Sequence, residues 1–381
     1  MMQEQIPLNM PAYIEGSCEA ILDSLKSGRI AGRGLRTTEC ENWIVKNTKH
    51  SSRALLTTSC THALELSAIL MEFKKGDEVI VPSYTFVSSA LAFYMHGARV
   101  RFCDIRKDTL NIDENLIEQA ITKRTKAIVV VHYAGVACEM DKIMSIAAKY
   151  GILVIEDNAH GFLGKYKGVN LGSIGDFGTL SFHETKNISC GEGGAILLNN
   201  NNFLQRAEIL IEKGTNRSQF ISGQIDKYSW VDKGSSYVLS DLLASLLYSQ
   251  LRNSKEIQFK RQSIWERYFS ELSDWALDNE VLLPFVPDYC DQTYHMFYML
   301  MPSLTERSKF IKYLSDHNVS SAFHYVPLHN SIMGSKLAPE DQVKCPVSEE
   351  VSTRLVRLPM FCDLSFSNQK RVINTVRNFS V

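Results

Sequence analysis

Six short apolar runs, separated by helical patterns, constrain the fold of this chain most strongly. They lie at 78–82, 98–105, 125–135, 151–159, 177–183 and 193–200. Their nearly continuous hydrophobicity is typical of strands buried on both faces, and 61–73 and 140–150 show the apolar spacing of helices. The pattern predicts a mostly parallel α/β sheet covered by helices, with a ligand site at the carboxyl ends of its strands.

The later part of the chain has a different pattern. Residues 240–272 are rich in Leu, Gln, Arg and aromatic residues and predict one long helix, and 295–301 and 320–327 are strand candidates. A chain of 381 residues is longer than one hydrophobic core usually serves. We therefore predict a large α/β domain at 1–250, which includes the N-terminal segment, and a smaller α+β domain at 251–381.

Composition argues against several classes of protein. The net charge of -1 and the lack of a basic stripe disfavour binding to nucleic acid or to an anionic membrane. The N-terminus lacks the features of a signal peptide, no apolar run is long enough to span a bilayer, and the nine scattered cysteines contain no CxxC pair. We expect a cytoplasmic enzyme with reduced thiols. The histidine spacings match no metal motif, so we expect no metal.

Lys186 lies between an apolar run and the glycine-rich GEGG at 191–194. Burial disfavours the ammonium form of a lysine and makes its amine a nucleophile toward carbonyl groups, which is the chemistry of a Schiff base. The glycines would let backbone or a ligand approach closely. A strand-end lysine that extends its charge to solvent explains the same residues equally well. The local sequence leaves both interpretations open.

Three further features are ambiguous when each is taken alone. Asp157 ends an apolar strand, where its carboxylate could pair with a protonated pyridine nitrogen or cap a turn. The small polar residues at 57–61 precede an amphipathic helix and fit either an anion site or a simple cap. Phe86 follows another strand and could stack on a flat ring or belong to the core.

Taken together, these residues occur in a defined order along the chain. Residues 59–61 could bind a phosphate, Phe86 could stack on a ring, Asp157 could pair with a pyridinium nitrogen, and Lys186 could act as an amine nucleophile. This ordered set resembles the fold type I enzymes that use pyridoxal 5′-phosphate (PLP). It is most similar to the DegT/DnrJ/EryC1/StrS family of sugar aminotransferases. The motifs that carry the resemblance span essentially the whole chain and are TTSCTHAL, PSYTFVSSA, HYAGVACEMD, EDNAHG, SFHETKNISCGEGG, GSSYVLSD and FHYVPLH.

The resemblance implies an aspartate aminotransferase-like α/β fold with a mostly parallel seven-stranded sheet, and a role for each residue. Lys186 would form the Schiff base with PLP, and Asp157 would pair with the pyridine nitrogen. His160 would lie near the phenolic oxygen of the cofactor, and Phe86 would stack on its ring. The residues expected to hold the phosphate are Ser59, Cys60, Thr61 and Ser181.

The resemblance also implies a homodimer with active sites at the interface. Ser236 stands where many members carry an asparagine that reaches the phosphate of the neighbouring subunit's cofactor, and serine is the shorter side chain. For the sugar nucleotide we expect contacts from Lys213, Arg217, His324 and Tyr325.

Several motif variants are similar to one subgroup of the family, which aminates C4 of a dTDP-linked 4-keto-6-deoxy sugar with L-glutamate as donor. They are SFHETKN, HYAGVACEMD, EKGTNRSQF and DKYSWVDKGSSYVLSD. An aminotransferase for another nucleotide keto-sugar or ring carbon is the main alternative. A sugar 3-dehydratase is disfavoured because that branch carries histidine in place of Lys186. A non-catalytic PLP-fold protein is disfavoured because Lys186, Asp157 and the phosphate anchor are all present.

Overall fold

The computed structural model describes residues 4–48, 50–337 and 344–380. Its strands are β1 Arg53–Thr57, β2 Glu78–Pro82, β3 Arg99–Cys103, β4 Thr125–Val131, β5 Leu153–Asp157, β6 Lys165–Tyr166, β7 Val169–Asn170, β8 Phe177–Ser181, β9 Gly194–Leu198, β10 Cys290–Asp291, β11 Phe297–Leu300 and β12 Leu355–Leu358. Seven of them form one sheet in the order β1-β9-β8-β5-β4-β2-β3. Only β9 runs against its neighbours, so the predicted mostly parallel seven-stranded sheet is confirmed.

Helices cover both faces of this sheet, as the continuous apolar strands require. They are α1 Ser17–Ser27, α2 Leu35–Thr48, α3 Cys60–Met71, α4 Ser88–Met95, α5 Ile117–Ala120, α6 Met140–Tyr150, α7 Leu204–Leu210, α8 Arg217–Ile221, α9 Asp241–Arg252, α10 Ser254–Asp278, α11 Leu304–Asp316, α12 Gly334–Leu337, α13 Pro346–Arg354 and α14 Phe366–Arg377. One face packs against α3, α4 and α7. The other packs against α5 and α6 at one end and α2 and α9 at the other. None of the described helices is long and apolar enough to cross a bilayer.

A separate apolar cluster lies in the C-terminal part of the chain. It is formed by side chains of α10, β11, α11, β12 and α14, and β11 pairs with β12 in an antiparallel two-stranded sheet. Ile6 from the N-terminal segment joins this cluster, and its backbone N–H donates to the carbonyl of Asn318 at 2.9 Å. The N-terminal segment therefore packs on the C-terminal part of the chain. The division into domains at residue 250 stays a prediction.

Two predicted elements are wrong. The single helix at 240–272 is two helices, which are separated at Asn253, where the side chain donates to the carbonyl of Ser249 at 2.8 Å and the backbone departs from helical dihedrals. The strand predicted at 320–327 is an irregular extended segment with one bridge, Ala322 to Arg357. This segment does not pair as a strand because its later residues turn into a cavity instead.

Candidate active site

The residues predicted to form a site converge on one cavity at the carboxyl ends of the strands. β5 ends at Asp157, β8 ends at Ser181, and the loop after β8 carries Lys186. The cavity has a volume of about 430 Å³, which is typical of a small-molecule site. The predicted residues that line it are Ser59, Cys60, Thr61, Phe86, Asp157, His160, Ser181, Lys186, His324 and Tyr325.

Lys186 is held in a turn of the β8–β9 loop, where its backbone N–H donates to the carbonyl of His183 at 2.9 Å. The side chain is half-buried. Burial lowers the pKa of Lys186 to about 8, and the negative charge of Asp157 opposes this shift. A substantial fraction of the amine is therefore neutral near pH 8, which is the form that attacks a carbonyl group.

Asp157 is buried at the end of β5. One carboxylate oxygen accepts from the hydroxyl of Ser89 at 2.6 Å, and the other accepts from the backbone N–H of Ala159 at 3.2 Å. Burial raises the pKa of Asp157, whereas these hydrogen bonds and the charge of Lys186 lower it. Within the described residues no cationic side chain lies at salt-bridge distance from this carboxylate, so it is available to a cationic ligand group.

The N-terminus of α3 forms another wall of the cavity. The hydroxyl of Ser59 caps the helix by accepting from the backbone N–H of His62 at 3.1 Å. The amides of Cys60 and Thr61 lie in the first turn, where helix geometry supplies no carbonyl acceptor. Gly194 of β9 packs directly against this turn, since a Cβ there would lie 2.5 Å from the Cys60 nitrogen. The arrangement presents free amides and a helix dipole to an anion.

Three buried histidines line the cavity. The rings of His160 and His295 stack with centroids 4.3 Å apart, and Nδ1 of His324 lies 3.0 Å from the Tyr133 hydroxyl. Burial lowers the pKa of all three imidazoles well below the ordinary value. Nδ1 of His160 is buried with no hydrogen-bond partner in the described chain.

Asn187 determines which ring nitrogen of His295 carries the proton. Its amide nitrogen donates to the carbonyl of Thr293 at 2.7 Å and to Oε1 of Gln258 at 3.0 Å. Its amide oxygen lies 2.9 Å from Nδ1 of His295, so that ring nitrogen carries the proton and Nε2 is left as an acceptor. The residue that follows Lys186 therefore orients a cavity histidine.

Phe86 lies at the cavity mouth, where 57 % of it is exposed. Its ring centroid lies 6.2 Å from that of Tyr325. An exposed phenyl ring beside the cavity fits the predicted stacking role, which stays a prediction.

Three predicted contacts do not line the cavity of their own chain. Lys213, Arg217 and Ser236 are all exposed and lie around Glu212. Arg217 pairs with the Glu212 carboxylate at 3.5 Å, and Ser236 opposes Glu212 in an isolated bridge. Lys213 lies in the turn between α7 and α8, Arg217 begins α8, and Ser236 precedes α9, so none of the three lines this cavity of its own chain. The predicted contacts of Lys213 and Arg217 with the sugar nucleotide, and of Ser236 with the neighbouring subunit's cofactor, stay predictions.

Four residues of or beside the cavity escaped the sequence analysis: Ser89, Asn187, His295 and Arg357. Asn187 adjoins Lys186, and Ser89 follows Phe86 by three residues. Their closeness in sequence to predicted site residues is the one feature that could have identified them. His295 lies two residues before β11 and Arg357 lies in β12, and neither residue has a local sequence signal.

Comparison with known proteins settles the family. A sequence profile of the DegT/DnrJ/EryC1/StrS aminotransferase family matches residues 12–377. The chain belongs to this family. It is 30% identical over 381 residues to the spore coat polysaccharide biosynthesis protein SpsC of Bacillus subtilis, covering 98% of this chain and 96% of SpsC.

Solved aminotransferase structures share the whole fold. Spr1654 of Streptococcus pneumoniae, described as a sugar aminotransferase and solved in its PMP form, superposes with a TM-score of 0.90 at 28% identity and 98% coverage of both chains. DesV of S. venezuelae, solved with a ketimine intermediate, gives a TM-score of 0.87 at 27% identity and 98% coverage of both chains. The protein is a PLP-dependent aminotransferase with the fold type I architecture.

The cavity fits PLP by its own chemistry. The first turn of α3, pressed against Gly194, offers amides to a phosphate, and the unpaired carboxylate of Asp157 offers a partner to a protonated ring nitrogen. His160, whose Nδ1 has no hydrogen-bond partner among the described residues, and Lys186 both line the cavity. These residues match the donor, acceptor and nucleophile that the cofactor requires.

Proposed function

We propose that the protein transfers the amino group of L-glutamate to C4 of dTDP-4-dehydro-6-deoxy-D-glucose. The products are 2-oxoglutarate and dTDP-4-amino-4,6-dideoxy-D-galactose, a building block for a surface polysaccharide. The observation that carries the aminotransferase chemistry is the convergence of Lys186, Asp157 and the α3 N-terminus on one cavity. The motifs at 181–187, 212–220 and 226–241, which resemble those of dTDP-4-amino-4,6-dideoxygalactose transaminase, support the choice of substrate.

Each residue of the cavity has its own role in the proposed reaction. PLP supplies a ring that accepts electrons and so stabilises negative charge at the donor's α-carbon. Asp157 holds the proton on the ring nitrogen through its buried carboxylate, which Ser89 orients. The Nζ atom of Lys186 takes the proton from the donor's α-carbon, and its lowered pKa suits it to this general-base role. The first-turn amides of α3 hold the phosphate.

We also propose that the protein is a homodimer in which Lys213, Arg217 and Ser236 serve the partner subunit's cavity. All three are exposed on one surface region of the single chain. Tyr228 and Trp230, which are 51% and 81% exposed, lie in the same region and offer apolar surface for an interface. A sedimentation experiment that finds a monomer at micromolar concentration would contradict this proposal.

The test of the substrate is a panel reaction. The holoenzyme is incubated with L-glutamate and a set of nucleotide keto-sugars, and the configuration of each aminated carbon is determined by NMR. We expect turnover of dTDP-4-dehydro-6-deoxy-D-glucose with an axial amine at C4, and none with Lys186→Ala. If the enzyme prefers a sugar with another nucleotide, another keto carbon or another configuration, the proposed substrate is wrong. If it transfers an amino group to none of the sugars, the proposed function is wrong.

A further inference from the structure

Two adjacent serines at the start of α4 contact two different parts of the cavity wall. The hydroxyl of Ser88 lies 2.7 Å from that of Thr61 in the first turn of α3. The hydroxyl of Ser89 donates to the carboxylate of Asp157 at 2.6 Å. Both serines are buried. The first turn of α4 therefore connects the turn expected to hold the phosphate of PLP with the carboxylate expected to pair with its ring nitrogen.

A third hydroxyl group, that of Thr85, contacts Ser89. Its Oγ1 atom lies 2.9 Å from Oγ of Ser89, and Thr85 is a buried residue of the cavity wall. An ionised carboxylate can only accept, so Ser89 gives its proton to the bond with Asp157, and its oxygen is left to accept from Thr85. The three side chains thus form a chain of hydrogen bonds that runs in one direction, from Thr85 through Ser89 to Asp157.

Capping of α4 does not explain the position of Thr85. A threonine before a helix commonly accepts from a backbone N–H of the first turn. Val87 occupies the N-cap of α4 and makes no side-chain capping bond. Within residues 4–48, 50–337 and 344–380, the hydrogen bond of the Thr85 side chain is the one to Ser89. The hydroxyl of Thr85 therefore supports a side chain rather than the helix backbone.

Titratable side chains from several segments lie within electrostatic range of the Asp157 carboxylate. They are Cys60 of α3, His132 after β4, Lys186 after β8, and Tyr325. The Cys60 thiol lies 4.0 Å from Oδ1 of Asp157. None of these four side chains forms an ion pair with the carboxylate. Hydrogen bonds from neutral groups are therefore the main support for its negative charge.

The bond from Ser89 is the strongest of these supports. Burial is the largest influence on the pKa of Asp157 and raises it, and the hydrogen bond from Ser89 is the largest influence that lowers it. The backbone N–H of Ala159 supplies a longer bond of 3.2 Å. Hydrogen bonds in a chain polarise one another, so donation from Thr85 strengthens the bond between Ser89 and the carboxylate. A protonated ring nitrogen needs a partner that stays ionised.

We propose that Thr85 is a positioning residue that acts through Ser89 to hold Asp157 ionised and directed at the ring nitrogen of PLP. The inference rests on the role proposed above for Asp157, and it gives Thr85 no contact with the amino donor or the sugar. Ser88 acts on the phosphate side instead, through Thr61. Substitutions of the neighbouring hydroxyls should therefore have separate effects.

The first measurement is the nitrogen NMR signal of isotope-labelled PLP in the reconstituted holoprotein. Without the Thr85 hydroxyl the carboxylate is stabilised less, so it takes a larger share of the proton on the ring nitrogen. For Thr85→Val we expect the ring nitrogen signal to move toward that of an unprotonated pyridine, and Thr85→Ala should move it in the same direction. Thr85→Ser keeps the hydroxyl and should give the wild-type signal.

The second measurement is a pH titration of the visible spectrum of the holoprotein. Loss of positive charge from the ring makes the nitrogen that joins PLP to Lys186 easier to protonate, because like charges disfavour each other. The pKa read from the spectrum should therefore be higher in Thr85→Val than in the wild type. We expect the proton affinity to rise roughly twofold to tenfold, as for loss of one neutral hydrogen bond, and Thr85→Ser to keep the wild-type value.

The matched control is Ser88→Ala. It removes the contact with Thr61 and leaves the hydrogen bonds from Thr85 to Asp157 in place, so both spectroscopic values should equal those of the wild type. Its effect should appear when the apoprotein is titrated with two ligands. The affinity for PLP should fall roughly twofold to tenfold, whereas the affinity for pyridoxal, which lacks the phosphate, should not change.

Wild-type spectra in both Thr85→Val and Thr85→Ala would overturn the proposal. An equal spectral change in Ser88→Ala would also overturn it, because a general disturbance of α4 would then be the cause. A change in Thr85→Ser as large as that in Thr85→Val would have the same consequence, since the hydroxyl would not be responsible. These measurements contain no donor and no sugar, so a wrong substrate under the proposed function leaves their result unaffected.

Discussion

Replacement of Lys186 by methionine is expected to stabilise the apoprotein at neutral pH while it abolishes aminotransfer. The pKa of Lys186 falls from 10.5 to about 8 in the folded chain because the ammonium loses water on burial. Protonated Lys186 therefore opposes folding. Methionine has similar length and carries no charge, so it removes this cost.

The size of the effect follows from linkage. Each unit of pKa shift corresponds to about 1.4 kcal/mol, so the cost of the charged amine is roughly 3 kcal/mol at pH 7 and falls to about 1 kcal/mol at pH 10. Between the two pKa values of Lys186 the unfolded chain binds more protons than the folded chain. The free energy of unfolding of the wild type therefore rises with pH between those two values. The free energy difference between variant and wild type should thus shrink by about 2 kcal/mol from pH 7 to pH 10.

The assay is urea unfolding of both apoproteins, followed by tryptophan fluorescence at several pH values. Taking the difference between the two proteins cancels the titration of all shared groups. Lys370→Met, which removes an exposed ammonium of α14, serves as control and should show a difference that is flat with pH. A flat difference for Lys186→Met as well would refute the claim that burial makes this amine a nucleophile.

Two further substitutions test the residues expected to hold PLP. Ser89→Ala removes the 2.6 Å hydrogen bond to Asp157 and should raise the Kd for PLP by roughly tenfold, measured by fluorescence titration, because a buried charge-assisted bond contributes about 1.5–3 kcal/mol. Gly194→Ala places a Cβ 2.4 Å from the Ser59 carbonyl carbon and should lower both Tm and PLP affinity, since the N-terminus of α3 must move. Unchanged PLP affinity in either variant would contradict the assigned contacts.

The large sheet and the first half of the site could be predicted because their signals are local. Asp157 and the loop that carries Lys186 follow apolar runs directly, and parallel strands bring their carboxyl ends to one edge. The hydroxyl-rich start of α3 is likewise visible in the sequence. Each feature is ambiguous alone, and their order along the chain carries the family resemblance that implies the cofactor.

The rest of the site depends on packing between distant segments. His295 reaches the cavity from the segment just before β11 and Arg357 reaches it from β12, and no neighbouring motif marks either residue. The break at Asn253 depends on one side-chain hydrogen bond that competes with the helix. The segment at 320–327 has strand-like composition, but His324 and Tyr325 are directed into the cavity, which composition does not reveal.

Lys186 is expected to be the residue that forms the covalent bond to PLP. The holoprotein is treated with sodium borohydride, which makes that bond permanent, and the digested peptides are analysed by mass spectrometry. We predict one phosphopyridoxyl group, located on Lys186 in the β8–β9 loop. Modification of a different lysine, or full retention of PLP binding with no modified peptide, would show that Lys186 is not the residue that bonds PLP.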